Sequence, residues 1–141
     1  MSNQDIVANI GRVWETIMAL CVPSTEHEWQ TPTDGPAWSV QDQVVHMLGS
    51  ELRLLERAAP EPTPRDTSWS GGMRDLWHIR IFDAWIPQQD MRRAVKRPGD
   101  LAGPVAEHAV GRVAMAMPGS AGRTVALRTE GGRARILDES L

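Results

Sequence analysis

Cysteine is almost absent from this sequence, which has one, Cys21, among its 141 residues. No disulfide can form within the chain, so nothing indicates an oxidising compartment. Cys21 lies beside Leu20 and Val22 near the end of a predicted helix. A free cysteine in such surroundings is typical of a small buried hydrophobic residue rather than of a nucleophile. We therefore expect Cys21 in the core.

The sequence also lacks a long apolar run and an excess of positive charge. Its formal net charge is -3, whereas duplex binding depends on clustered cations. The polar N-terminus is unlike a secretory signal, and the apolar runs fall far short of the roughly 20 residues of a membrane span. These features predict a cytoplasmic protein that binds neither nucleic acid nor membrane. A DNA-binding regulator is the least favoured interpretation.

Two segments combine a helix-capping signal with an apolar stripe. Ser2 and Asp5 have the spacing of a capping box, which predicts a first helix from about Gln4 to Cys21. Ser39 and Asp42 repeat that spacing and predict a second helix that ends near Ala59. The apolar stripe predicted for the core face of this second helix is Val40, Val44, Leu48, Leu52 and Leu55. Residues 23–38 between the two helices are expected to be a connector.

Two further helices are predicted after the loop at residues 60–72. The third runs from about Met73 to Lys96 and should kink or restart at Pro87, because proline cannot donate a hydrogen bond to the carbonyl of Asp83. The fourth begins at Pro104 and reaches about Met115.

The C-terminal part of the sequence predicts a small β-hairpin. Two alternating segments, residues 124–129 and 133–137, flank Glu130, Gly131 and Gly132. The expected fold is mainly α, a shortened helical bundle of about four helices followed by this hairpin. We divide the chain into a bundle domain at residues 1–117 and a hairpin remnant at residues 118–141.

The chain has four histidines, and single histidines are more often surface or core residues than ligands. This interpretation suits His27, His78 and His108. His46 differs, because Gly49 and Ser50 follow at one helical turn and leave room for a ligand. On a helical wheel, however, His46 lies nearly opposite the predicted apolar stripe, so a solvent-exposed position is the alternative.

Three segments of the chain resemble a known family. Residues 38–51 (WSVQDQVVHMLGSE) and 80–99 (RIFDAWIPQQDMRRAVKRPG) resemble helices of the metal-binding domain of mycothiol-dependent maleylpyruvate isomerase. Residues 122–138 resemble the strand pair that follows that bundle. The domain belongs to the DinB-like group of four-helix metal proteins, so the resemblance implies a DinB-like helical bundle.

The resemblance also implies a divalent metal, typically zinc, with two histidine ligands and one acidic ligand. Carried onto this sequence, the first ligand is His46 and the acidic ligand is Asp83. The second histidine falls on Pro87, which has no donor atom. Asp90, seven positions after Asp83, could replace it, although it could equally pair with Arg93. His78 lies about 140° around the helix from Asp83 and points elsewhere.

Two other departures from the family pattern suggest a shortened relative. Residues 60–72 are too few to hold the long helix that the family ordinarily has there, and a larger C-terminal domain is reduced to the hairpin. Helices without this cover would expose apolar faces, which usually find a partner. We therefore expect a homodimer.

Two functions remain open from the sequence. By resemblance, the chain would be a thiol-dependent isomerase or transferase, in which the metal acts on a small substrate or on a low-molecular-weight thiol such as mycothiol. Glu51, Arg92 and Arg93 are unassigned aids to binding in that case. The alternative is a non-catalytic scaffold or small-ligand-binding module with a degenerate metal site. Proline at position 87 favours this alternative.

Overall fold

The computed structural model describes residues 2–58, 71–121, 125–127 and 135–137. This part of the chain is mainly helical. Its five helices are α1 (Asn3–Cys21), α2 (Glu26–Trp29), α3 (Val40–Ala58), α4 (Gly71–Ala94) and α5 (Pro104–Ala121). Two short strands, β1 (Val125–Leu127) and β2 (Arg135–Leu137), follow them and pair antiparallel.

Helix α4 is the central element, because it packs against α1, α3 and α5. The side chains of Ile81 and Met91 on α4 are fully buried, as are those of Ile6 and Val13 on α1. These residues form one core with the α5 alanines and with Cys21, whose predicted burial is confirmed. Burial raises the pKa of the Cys21 thiol, which keeps the group protonated and unreactive.

Capping explains where α1 and α3 begin. The Ser2 hydroxyl accepts a hydrogen bond from the Asp5 backbone N–H, and the Asp5 carboxylate accepts one from the Ser2 N–H at 2.8 Å. Ser39 and Asp42 form the same pair before α3. The two predicted helices are therefore confirmed, each to within one residue at both ends.

The predicted connector at residues 23–38 is only partly correct, because it contains the short helix α2. Thr25 and Glu28 cap this helix as a third capping box. The spacing of the two residues is visible in the sequence and predicts such a turn. Helix α5 is also longer than predicted, since it continues past Met115 and Pro118 to Ala121. One proline removes a single hydrogen bond, which does not end a helix when the neighbouring bonds remain.

Helix α4 does not end and restart at Pro87, because it is one continuous helix through this residue. A kink at Pro87 stays a prediction. Proline inside a helix costs about 3 kcal/mol. The residues around Pro87, namely Ala84, Trp85, Gln88 and Met91, are all buried. The burial of this part of α4 against its neighbours outweighs the loss of one hydrogen bond.

Only the start of the apolar stripe predicted for α3 lies on its buried face, where Val40 is buried and Val44 packs against the core. The side chain of Leu55, the last residue of that stripe, lies outside the described part of the chain. Val40 and Met47 are buried, whereas Leu48 and Leu52 are 49% and 61% exposed. Helix α3 contacts α4 and α2, and its orientation against α4 selects the row that contains Val40, Gln43 and Met47. Helical periodicity alone could not distinguish this row from the neighbouring one, because both recur every three or four residues.

Most of the predicted C-terminal hairpin falls outside the described residues. Strands β1 and β2 are paired in the register Val125 with Leu137, but the turn between them is not described. The hairpin therefore stays a prediction, as does the domain boundary after residue 117. Within the described ranges, no helix has the combined length and hydrophobicity needed to cross a bilayer.

The core prediction can be tested with two neighbouring residues of α1. Ile17 is 2% exposed and Met18 is 56% exposed. We expect Ile17→Ala to lower the free energy of unfolding by about 2 to 5 kcal/mol, because it leaves a cavity. Met18→Ala should change it by less than about 0.5 kcal/mol. Urea denaturation measures both, and similar losses in the two variants would contradict the packing described here.

Candidate functional site

A pocket of about 270 Å³ lies between α3 and α4. It is lined by His46, Met47 and Ser50 from α3 and by Arg80, Phe82, Asp83, Ile86 and Pro87 from α4. His46, Asp83 and Pro87, the positions to which the family resemblance assigns metal ligands, thus face one space. A pocket of this size is at the small end of ligand-binding sites.

The imidazole of His46 is held at the mouth of this pocket. It is exposed, and its ring packs edge-on against Trp38 with the ring centroids 4.8 Å apart. Trp38 lies in the loop before α3, and its carbonyl accepts a hydrogen bond from the Thr33 backbone N–H at 2.8 Å. One turn after His46, the Ser50 hydroxyl donates to the His46 carbonyl at 2.9 Å. The contact with Trp38 limits the orientations of the His46 ring.

The guanidinium of Arg80 joins the two helices at the pocket. Arg80 donates to Glu51 on α3 through Nε at 3.1 Å and through Nη2. It also donates to the Asp83 carboxylate through Nη1 at 3.1 Å. The Arg80 side chain is only 10% exposed, so water screens these ion pairs less than it does at an open surface. A fixed cation therefore stands beside the carboxylate that the resemblance assigns to the metal.

Burial raises the pKa of the Asp83 carboxyl above its ordinary value. The charge of Arg80 opposes this effect, the charge of Glu51 adds to it, and the charges of His46 and Arg112 oppose it. The dominance of burial means that Arg80 only partly compensates for the desolvation of Asp83.

Asp90 is not among the residues that line the pocket. Its carboxylate forms an ion pair with Arg93 on the next turn of α4, and Arg93 also pairs with Asp34. Burial raises the pKa of Asp90. The structure therefore brings His46 and Asp83 together but places Asp90 in a different group of charges.

The donor atoms at the pocket do not fit a three-ligand metal centre. Pro87 has no side-chain donor, and the Asp83 carboxylate already accepts a hydrogen bond from a cation. Within the described residues, no group of three or more His, Cys, Asp or Glu side chains is arranged to hold a metal ion. A structural or catalytic zinc site needs at least three protein ligands.

Arg80 is the site residue that sequence reasoning missed. Its spacing of three residues from Asp83 is a local signal for an ion pair on one helix. Its other partner, Glu51, is 29 residues away in the sequence, and no local pattern predicts that pairing. The sequence indicates Glu51 only as an unassigned aid to binding. The other two unassigned residues, Arg92 and Arg93, do not line the pocket.

The fold and the pocket together define a class: a helical bundle in which two neighbouring helices bring a histidine and a carboxylate to a shared cleft. The sequence matches the family described as "Mycothiol maleylpyruvate isomerase N-terminal domain" over residues 10–135. The chain belongs to this family, which confirms the resemblance seen in its sequence. No curated protein and no solved structure matches the chain significantly.

The raised pKa of Asp83 predicts a pH dependence of stability. The folded chain holds this proton more tightly than the unfolded chain does. Ionisation therefore lowers the free energy of unfolding as the pH rises from the ordinary pKa of 3.8 through the raised value. Asp83→Asn cannot ionise. We expect the free energy of unfolding of the wild type, minus that of this variant, to fall as the pH rises from about 3 to about 6.

Asp42 provides the matched control for this measurement. Hydrogen bonds from Ser39 lower the pKa of the Asp42 carboxyl, so its ionisation stabilises the fold. The free energy of unfolding of the wild type, minus that of Asp42→Asn, should therefore rise with pH. Urea denaturation at several pH values gives both differences. A difference for Asp83→Asn that rises with pH would show that Arg80 outweighs burial, contrary to the account above.

Proposed function

We propose that this chain is a non-catalytic member of its family that binds a small polar molecule in the pocket between α3 and α4, with a degenerate metal site. One observation carries the proposal. The guanidinium of Arg80 donates hydrogen bonds to both Asp83 and Glu51 at the pocket that His46 also lines. We also propose that the chain is cytoplasmic, as its sequence predicts.

The charge of Arg80 opposes a divalent cation in two ways. It repels a second cation in its immediate surroundings, where only 10% of its side chain is exposed to screening water. It also occupies one acceptor position on Oδ2 of Asp83, the acidic residue at an inherited ligand position. With proline at position 87, His46 and Asp83 are the two groups left at the inherited ligand positions.

The remaining polar groups suit a ligand that both donates and accepts hydrogen bonds. The Asp83 carboxylate accepts hydrogen bonds, while the imidazole of His46 donates from one ring nitrogen and accepts at the other when it is neutral. The Asp83 carbonyl has no partner four residues later, because Pro87 carries no N–H. Met47, Phe82 and Ile86 supply an apolar wall. This mixture of an apolar surface with a few polar groups is typical of small-molecule sites.

A second candidate is the thiol-dependent isomerase or transferase implied by the family. The observation that favours it is the presence of His46 and Asp83 on one pocket. In this candidate His46 and Asp83 would hold a divalent metal, zinc by the family resemblance, and the metal would supply a binding position for a thiol such as mycothiol. Asp90 would have to leave Arg93 to become the third ligand. Such a rearrangement has no support in the ion pairs described.

Metal uptake distinguishes the two candidates. The chain, purified without chelator, is dialysed against zinc and its metal content is measured beside that of His46→Ala. We expect the chain to contain no stoichiometric zinc that depends on His46. Pro87 has no donor atom, and the positive charge of Arg80 repels a second cation. Stoichiometric zinc that is lost in His46→Ala would favour the enzyme candidate.

Two substitutions should restore the missing site. Pro87→His supplies an imidazole one turn after Asp83, so it should increase zinc uptake. Adding Arg80→Met removes the competing cation while keeping an apolar stem of similar length, and should strengthen binding by a further 10- to 100-fold or so. If the double variant binds zinc no better than the wild type, residues 83 and 87 are not aligned as a ligand pair.

We also propose that the chain forms a homodimer through the outer face of α3. Val45, Leu48 and Leu52 are 61%, 49% and 61% exposed and recur at helical spacing on this face. Gly49 lies between them, and a Cβ there would meet only the end of the Arg53 side chain, at 3.9 Å. The fold of one chain thus does not require glycine at this position. An antiparallel copy of α3 would place Val45 opposite Leu52 around this small residue.

The dimer proposal predicts the effect of a charge on this face. Leu52→Glu should shift the mass measured by light scattering at micromolar concentration from dimer to monomer, because burying a carboxylate against an apolar partner is unfavourable. Val7→Glu is the control, since Val7 is 54% exposed on α1. A wild-type chain that is monomeric under these conditions would contradict the proposal.

A further inference from the structure

Two charged residues border the apolar face of α3 on which the proposed homodimer rests. Counted at about 100° per residue around the helix axis, Leu52 lies about 20° from Val45, at the centre of this face. Asp42 and Arg53 lie about 60° and 80° from Val45 on one side, and both are exposed. Leu48 lies about 60° from Val45 on the other side. The face therefore has one charged edge and one apolar edge.

Both charged side chains have bonding capacity that the single chain leaves unused. Arg53 contacts the Ser50 hydroxyl through Nη2 at 3.5 Å, and it joins no ion pair within the described part of the chain. The Asp42 carboxylate accepts hydrogen bonds from the backbone N–H and the hydroxyl of Ser39, both at Oδ2. Among the residues described, none donates to Oδ1 of Asp42. The bonds from Ser39 lower the pKa of the Asp42 carboxyl, so the group is charged at neutral pH.

An antiparallel pair of α3 helices brings these two charges together. With Val45 opposite Leu52 of the second copy, Arg53 lies two residues, or about 3 Å along the axis, from the level of the second copy's Asp42. The two-fold axis of such a pair keeps the charged edge of one helix on the same side as the charged edge of the other. Each Arg53 therefore faces the Asp42 of the other copy, and the contact occurs twice.

We infer that two reciprocal ion pairs, each between Arg53 of one copy and Asp42 of the other, fix the antiparallel register of the homodimer. The inference rests on the dimer proposed above and adds the contact that selects one arrangement of the two helices. In a parallel pair, the charged edge of one helix meets the Leu48 edge of the other, and neither charge meets its opposite. Of these two arrangements, the antiparallel pair alone joins the apolar faces and the charged edges together.

Gly49 allows the two charged edges to approach each other. It lies about 40° from Val45, between the centre of the face and the charged edge, and a Cβ there would meet only the end of the Arg53 side chain, at 3.9 Å. The distance between packed helices depends on the side chains at their contact, so a glycine there permits a short one. Exposed ion pairs add little affinity, but like charges disfavour a wrong arrangement. The pairs therefore act mainly on the choice of register.

Charge reversal tests the inference, with dimerisation of the full chain measured by sedimentation equilibrium. Arg53→Asp should raise the Kd of the dimer about tenfold, because it replaces two attractions by two repulsions. Arg12→Asp is the matched control: it changes the net charge equally at an exposed position of α1, and should leave the Kd close to that of the wild type. Higher salt should reduce the difference between these two variants, since exposed charges are screened.

Mixing two variants tests the pairing directly. Asp42→Arg alone should also weaken the homodimer. An equimolar mixture of Arg53→Asp with Asp42→Arg should form a heterodimer, because both ion pairs are restored between the two chains. Native mass spectrometry distinguishes this heterodimer from the homodimers by its mass. Asp42→Arg also removes a helix cap, so if circular dichroism shows it to be unfolded, the salt dependence of Arg53→Asp relative to Arg12→Asp decides the question.

The outcomes separate this inference from the dimer itself. The inference is overturned if Arg53→Asp dimerises like Arg12→Asp, or if the mixture of folded variants forms no more heterodimer than homodimer. In that case, a dimer that Leu52→Glu still dissociates keeps the proposed interface with another register. A wild-type chain that is monomeric overturns the dimer and this inference together.

Discussion

The bridge that Arg80 makes between α3 and α4 is the interaction on which the candidate site depends. Helix α3 is joined to α4 through Glu51, and the same guanidinium holds Asp83. Arg80 is largely buried, so its removal would leave two neighbouring carboxylates without their cation. The bridge thereby joins α3 to α4 beside the pocket and places a positive charge next to Asp83.

Local signals predicted the starts of α1 and α3 because their physical cause is local. A hydroxyl and a carboxylate three residues apart satisfy backbone N–H groups at a helix start whatever the rest of the chain does. The buried face of α3 could not be predicted in this way. Gln43 is 5% exposed and donates to the Thr33 hydroxyl at 3.3 Å, so a polar residue takes a core position while Leu52 faces outward. Contacts with the loop before α3 decide this orientation.

The candidate site, too, has features that the sequence could predict and features that depend on the packing of the helices. His46 and Asp83 were paired through resemblance to a family, and the structure places both on one pocket. No spacing in the sequence relates two residues on different helices, so the pairing needed that resemblance. The ion pair of Arg80 with Glu51 and the stacking of His78 on His108 depend equally on how helices pack. Neither could be read from the sequence, since each joins residues about 30 positions apart.

The two unusual residues of the pocket, Pro87 and Arg80, have related consequences in the proposed function. If only a metal ligand were lost at position 87, Asp83 and Glu51 would face each other without a compensating cation. Arg80 supplies a positive charge and planar hydrogen-bond donors that match carboxylates. A guanidinium can neutralise and orient, but it has no vacant coordination position with which to hold a thiolate. A pocket organised around Arg80 is therefore suited to recognition of a ligand rather than to activation of a thiol.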